Sequence, residues 1–361
     1  MTAIHHTSLD NKPVDTPPAY LPKPAGPTQL ILDTDMGNDC DDALALGMIL
    51  ALEARGACKL LGVTLTNPEK LAGAHVTAIN TFYGRPDIPV GVSPSAPFVR
   101  PSPFLKVVER TAPDGTPLYP YSFDHDSAPR AVPLLRRLLS EAEDNSVVIA
   151  QIGFFTNCAA LLASGPDEFS ELTGRELVAR KVRFLSVMAG AFGPVQQNNY
   201  WLEFNVVYDK PAASRLAAEW PTPVVWSGAE VGDAVTFPAY AVEQDYEYQP
   251  HHILKETYQL FRPAPHERPC WDLTTALYAI FPDRDYFGLS TAGAVEILPD
   301  GYTRFHPGKG ARDRFLILTE KQAGVLRGLF SALATEPPHH SAAGIHPASC
   351  AAASSSFSAS S

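Results

Sequence analysis

Short apolar runs alternate with longer segments of helical period along most of this chain. Residues 28–33 and 59–65 read as buried strands. Residues 43–55 are apolar nearly all round, the mark of a helix buried on every side. Residues 70–83 read as a second helix, followed by the short apolar stretch 88–92. Further on, a helix over 131–143, a strand over 146–152 and a helix over 156–164 repeat the alternation. A strand over 182–188, a helix over 211–220 and a strand over 223–226 continue it. A helix over 271–280, strands near 294–298 and 314–318, and a helix over 320–334 complete it. Such alternation predicts an α/β chain with a single open, mostly parallel, Rossmann-like sheet and helices on both faces. Ligands of such sheets bind beyond the carboxyl ends of the strands. Asp33 and Asp35, the Ile152-Gly153 pair and Met188 all fall at that edge.

The two ends break the pattern. Residues 1–26 are Pro-rich and polar, and 335–361 form a low-complexity tail; both read as disordered, leaving one domain over 27–334. The tail holds His339, His340 and His346, whose spacing admits a metal but whose context is that of a disordered segment.

Five aspartates lie between the first strand and the first helix: Asp33, Asp35, Asp39, Asp41 and Asp42. Carboxylates crowded between two apolar segments repel one another and are costly to bury unless something neutralises them. A hard, oxygen-preferring cation, Ca²⁺ or Mg²⁺, does so; the competing reading is a solvated acidic loop. An EF-hand is excluded, because Asn38 stands where its turn glycine belongs and Leu44 where its bidentate glutamate belongs.

The net charge of −11 argues against nucleic acid and membrane surfaces as partners. No apolar run reaches membrane-spanning length, and the N-terminus lacks the apolar core of a signal peptide. Five scattered cysteines, out of metal-ligand spacing, are those of a cytoplasmic protein with reduced thiols.

Six ordered segments carry a resemblance. The stretch Asp33-Thr34-Asp35-Met36-Gly37-Asn38-Asp39-Cys40-Asp41-Asp42 resembles the Asp-x-Asp-x-Gly-x-Asp-Asp hallmark of the nucleoside hydrolases, of the inosine–uridine preferring type and its purine-specific relatives. It carries two extra residues before the final Asp pair. Leu61–Asn67, Ile152–Asn157, Val187–Gly190, Glu203-Phe204-Asn205 and Trp271-Asp272 resemble the family's later motifs in the same order, across most of residues 28–335.

The resemblance implies Ca²⁺-dependent hydrolysis of the N-glycosidic bond of ribonucleosides to free base and ribose. Asp35, Asp42, Asp272 and the main-chain carbonyl of Ile152 would hold the Ca²⁺. Asp35 would be the general base on the attacking water, with an oxocarbenium-like transition state. Asp41, Asn67 and Asn205 would bind ribose hydroxyls, Glu203 with Asn198 or Asn199 the 5′-hydroxyl, and Met188 the underside of the sugar. A homo-oligomer is implied as well. Asn67 also reads as a turn cap, Met188 as core and Trp271 as a core aromatic. Asp33 and Asp39 have no assigned role.

A departure from the inosine–uridine pattern bears on the leaving group: Trp271 stands where those members have the leaving-group histidine. Purine-specific members share the Trp-Asp pair, so purine nucleosides are the expected substrates, with Trp271 stacked on the base. A second aromatic for that stack is sought in the Pro- and aromatic-rich segment 94–126, read as a mobile wall containing Phe98, Phe104, Tyr119, Tyr121 and Phe123. His125 and His266 are candidate substitute acids. Two alternatives stay open. One is a non-catalytic nucleoside or ribose binder. The other is a haloacid-dehalogenase-type phosphatase, whose Asp-x-Asp motif the first strand also approaches.

Overall fold

Six of the seven residues of strand β1 (Thr28–Thr34) are buried, as a central strand requires when both sheet faces are covered. In the computed structural model the described residues are 26–310 and 312–338. On one side β1 pairs in parallel with β2 (Cys58–Leu65), which pairs with β3 (Val90–Val92). On the other it pairs with β4 (Val147–Gln151), followed by β5 (Val182–Met188) and β6 (Val224–Ser227), all parallel. A separate two-stranded ribbon joins β7 (Thr236–Phe237) to β8 (Arg268–Pro269). Strands β9 (Gly288–Leu289), β10 (Gly293–Ile297) and β11 (Thr303–Pro307) are antiparallel additions around β12 (Asp313–Ile317), which itself runs parallel to β6. The ten-stranded sheet thus has a parallel centre and an antiparallel edge.

Helix α1 (Asp41–Ala54) is buried along almost its whole length, as its all-round apolar character predicts. With α2 (Lys70–Phe82) it covers one face of the sheet. The other face is covered by α3 (Ala131–Glu141), α4 (Thr156–Ala163) and α5 (Gly174–Lys181). After β5 come the short α6 (Phe204–Tyr208), α7 (Lys210–Glu219) on the second face, and the short α8 (Ala229–Asp233). Helices α9 (Ile253–Phe261), α10 (Trp271–Ile280) and α11 (Glu320–Ala334) return to the first face. Two apolar cores, one on each face, bear out the α/β reading.

The segment 94–126 is no simple aromatic wall. It contains a 3₁₀ helix, Pro103–Glu109, whose Phe104, Leu105, Val107 and Val108 are buried. Tyr119 is buried as well. Three-residue periodicity of short apolar stretches escapes a search tuned to α-helix and strand. The expected disordered ends fall largely outside the described residues, including all three tail histidines. Where the second segment begins, the chain is still packed: Thr335 Oγ1 donates to Ser331 O, and Arg55 Nε donates to Glu336 Oε1 at 3.1 Å. Among the described residues, no helix is long and apolar enough to cross a membrane, and the four described cysteines are buried and unpaired.

Candidate active site

The carboxyl ends of β1, β4 and β5 meet the N-termini of α1 and α10 around a cavity of about 460 Å³. Gly153, just past β4, makes this convergence possible: a Cβ there would lie 2.3 Å from the Asp35 amide nitrogen. Asp41 and Asp42 occupy the first turn of α1 and Asp272 the first turn of α10. The positive ends of two helix dipoles therefore face the acids. One carboxylate oxygen from each of Asp41, Asp42 and Asp272 lies within 4.8 Å of the others, and all three residues are buried. The two halves are tied directly, since the Asp272 amide donates to Asp41 Oδ2 at 3.2 Å.

These acids are incompletely satisfied. Thr34 Oγ1 donates to Asp42 Oδ1, while Asp42 Oδ2 is buried with no hydrogen-bond partner. Burial pushes the carboxyl groups of Asp41, Asp42 and Asp272 well above the ordinary range, and neighbouring carboxylates push them further. Asp35 lines the same cavity outside the close triplet. Burial raises its carboxyl to about 6, against the opposing hydrogen bond from Asn38 Nδ2 at 2.7 Å. Ile152 also lines the cavity. An orphaned carboxylate oxygen among three buried acids fits an oxygen-coordinated cation.

Asp33 belongs to the scaffold. It is fully buried, with Oδ1 accepting from Thr64 Oγ1 at 2.6 Å and Asn157 Nδ2 at 2.8 Å, so it laces the ends of β1 and β2 to α4. Burial raises its carboxyl to about 7 despite these bonds. Met188, Glu203 and Asn205 all line the cavity. Asn205 Nδ2 reaches the Met188 carbonyl at 3.3 Å. Glu203 caps α6: its two oxygens accept from the amides of Asn205, Val206 and Gly190, and burial raises its carboxyl to about 7.

Two expected sugar ligands lie elsewhere. Asn67 is fully buried and off the cavity wall; it donates to Met36 O at 3.1 Å and accepts from the Glu69 amide at 3.1 Å, the bonding of a turn brace. Asn198 is exposed in a turn with Val195 and accepts from the Tyr200 amide. The candidate acids do not line the cavity either. His266 stacks on Tyr258 at 4.3 Å between ring centroids, and His125 meets Phe123 edge-on.

Trp271 lines the cavity, but its ring is already engaged. Nε1 donates to Ala229 O at 3.1 Å, and a Cβ on Gly232 would lie 2.1 Å from the ring, so only glycine permits this packing. Over the ring, 4.9 Å from its centroid, sits the guanidinium of Arg268, which the sequence reading did not single out. Its partner is Asp39, the acid left without a role: Nε donates to Oδ1 at 2.9 Å and Nη2 to Oδ2. An unassigned acid in a crowded cluster is the one signal in the sequence that asks for such a cation. Arg100, Tyr208 and Asp233 line the cavity too and were equally unanticipated.

The comparisons with known proteins agree with this geometry. The model of the inosine-uridine preferring nucleoside hydrolase family matches residues 30–323. Among curated proteins, none matches the chain. Solved structures similar in fold include a plant nucleoside hydrolase at 19% identity and TM-score 0.61, covering 86% of this chain and 100% of that one. A purine-preferring ribonucleoside hydrolase from Gardnerella vaginalis is similar at 17% identity and TM-score 0.63, covering 85% and 99%. An inosine-uridine preferring nucleoside hydrolase from Bacillus anthracis gives the same four values. With a family match across most of its length, and with Asp35, Asp39, Asp41 and Asp42 of the hallmark stretch gathered at one cavity, the chain belongs to the inosine–uridine preferring nucleoside hydrolases, a family of N-glycosyl hydrolases acting on ribonucleosides.

Proposed function

We propose that this protein hydrolyses purine ribonucleosides to base and ribose with the help of Ca²⁺ at the acidic end of the cavity. The observation that carries the reading is the buried triplet Asp41, Asp42 and Asp272, with its orphaned Asp42 oxygen, beside Asp35. Asp35, Asp42 and Asp272, with the Ile152 carbonyl, would hold the ion, and the amide of Asp272 keeps Asp41 close against them. Bound there, Ca²⁺ would supply a fixed positive charge and coordination sites that orient water and the ribose diol.

The chain's own residues do the rest. Asp35 takes a proton from the water as it attacks the anomeric carbon and the bond to the base breaks. The wall's carboxylates offset the positive charge that develops on the ribose ring. Met188 and Asn205, linked through the Met188 carbonyl, form one side of the sugar subsite. Glu203, with both oxygens committed to amides, rigidifies the turn at Gly190 and presents what acceptor capacity remains to the 5′ end. A volume of about 460 Å³ lies in the range of small-molecule sites. Purine preference is supported by the Trp271-Asp272 pair, as the resemblance to purine-specific members implies.

The test is base release from inosine, adenosine, guanosine, uridine and cytidine, with Ca²⁺ and with chelator. Turnover that depends on Ca²⁺, favours purines and drops at least about 10³-fold in Asp35→Asn is expected, near the upper end for losing a general base. Nucleoside binding without turnover by the calcium-loaded protein would refute the hydrolytic reading.

A further inference from the structure

We propose that Arg268, clamped by Asp39, is the group that stabilises the departing base. The inference rests on the hydrolytic reading above and adds the electrophile that reading lacks.

Four features of the chain lead to it. Among the described residues, the wall of the cavity carries no histidine, so the usual general acid is missing from it. The two-residue expansion of the acidic motif brings in Asp39, which accepts two hydrogen bonds from one guanidinium edge, at Nε and Nη2. That guanidinium lies against two aromatic rings, 4.9 Å from the Trp271 centroid and 5.1 Å from the Phe261 centroid. Its backbone is fixed too, since Arg268 pairs with Phe237 in the β7–β8 ribbon, four residues before Asp272. Fork, ring contacts and ribbon together hold the guanidinium on the cavity wall. Among the described residues, Nη1 has no hydrogen-bond partner, so one donor edge is available to a ligand.

Guanidinium stays protonated in proteins, so Arg268 works as a hydrogen-bond donor and fixed charge and not as an acid. When the C1′–N bond breaks, its electron pair goes to the base, which leaves with negative charge on its ring. An Nη1–H bond to a ring nitrogen or exocyclic oxygen of the base stabilises that charge. Water forms the new C1′–O bond and gives its proton to Asp35. Asp35 returns that proton to solvent, and the base takes one from solvent, so the balance is one water added. Asp39 is a positioning residue that holds the donor in place. Trp271 supports the guanidinium on one face, which gives it a role in leaving-group departure without direct base stacking.

The bland alternative is that Arg268 only offsets the surrounding acids. Leaving-group dependence separates the two. The calcium-loaded, full-length protein is assayed with inosine and with p-nitrophenyl β-D-ribofuranoside, whose phenolate leaves unaided. Arg268→Gln is expected to lower kcat/KM for inosine by about 10²–10³-fold, the range for removing one preorganised donor. The inosine-to-activated-riboside ratio should then fall at least about 20-fold, with Asp39→Asn moving it the same way by less. Arg268→Lys, which keeps the charge and loses the fork, should fall between, and keeps the test open if the glutamine variant folds poorly. Equal losses on both substrates, no loss on inosine, or a selective loss in Tyr208→Phe instead would each overturn the assignment. Wild-type protein that cleaves the activated riboside but no nucleoside overturns it while leaving riboside hydrolysis standing. Wild-type protein that cleaves neither overturns the hydrolytic reading itself.

Discussion

Replacing Asp42 by Asn should stabilise the metal-free protein and abolish its response to calcium. Oxygens of Asp41, Asp42 and Asp272 lie within 4.8 Å of one another. Two unit charges at that separation repel by about 3.5 kcal/mol at an effective dielectric constant of ~20. Three ionised carboxylates would carry roughly 10 kcal/mol of repulsion, comparable to the entire stability of a typical domain, about 5–15 kcal/mol. The metal-free site therefore takes up protons, in line with the raised carboxyl groups of all three residues. Protonation removes part of the repulsion and leaves about 2–4 kcal/mol for the Asp42→Asn substitution to relieve near pH 8. The new amide also places a donor where Asp42 Oδ2 has no partner, and its oxygen can still accept from Thr34. At about 2 °C per kcal/mol, the variant should melt roughly 4–8 °C above wild type in chelator. Added Ca²⁺ should raise the wild-type midpoint and leave the variant's unmoved. Scanning calorimetry of both proteins, with chelator and with Ca²⁺, reads both effects. A variant that melts lower than wild type in chelator and gains as much from Ca²⁺ would show that Asp42 is not a ligand of the cation.

Three further outcomes follow from particular contacts. Burial holds the carboxyls of Asp33 and Glu203 at about 7 and that of Asp35 at about 6, all above their ordinary values, so the folded metal-free protein binds more protons than the unfolded chain. Their stabilising contribution is complete below about pH 4 and lost as the pH rises through 6–7, so the chelated protein's melting temperature should fall across that window; a rise there would contradict the sign. Gly232→Ala drives a methyl into the Trp271 ring, which should cost about 1–3 kcal/mol and shift the tryptophan emission; an unchanged melt and spectrum would contradict the packing. Asn67→Ala leaves the Met36 carbonyl and the Glu69 amide without their partner, costing about 1–3 kcal/mol with little change in KM for nucleosides. A large rise in KM with an unchanged melting temperature would instead make Asn67 a sugar ligand.

The central strands and the longer helices were legible because burial on both sides leaves an unbroken apolar record, as in β1 and α1. Helices α5 and α9 and the 3₁₀ helix at 103–109 were missed. Their apolar residues are few, interrupted by charges or set at a three-residue spacing. The acids of the site were visible as an energetic conflict, a cluster of like charges between apolar segments. Asp272 was found only through the resemblance, since one aspartate at a helix start has no such signature. Arg268 was missed because its meaning depends on Asp39, 229 residues away, and on two rings that neither neighbour announces. Trp271 was identified as an aromatic surface, whereas what covers it was not readable from the chain.

The tie between the Asp272 amide and Asp41 has a consequence for biosynthesis. A chain emerging from the ribosome can lay down β1 to β6, side by side and parallel, well before residue 271 exists. At that stage the aspartates at the head of α1 lack their third carboxylate, the arginine clamp and the helix that later packs over α1. Charges that remain in water at that stage cost little to crowd. Docking of α10 then brings Asp272 against Asp41 and Asp42 and completes the triplet in one step. If a cation is bound there as proposed, its uptake should follow the docking of α10, so that binding would report a completed fold.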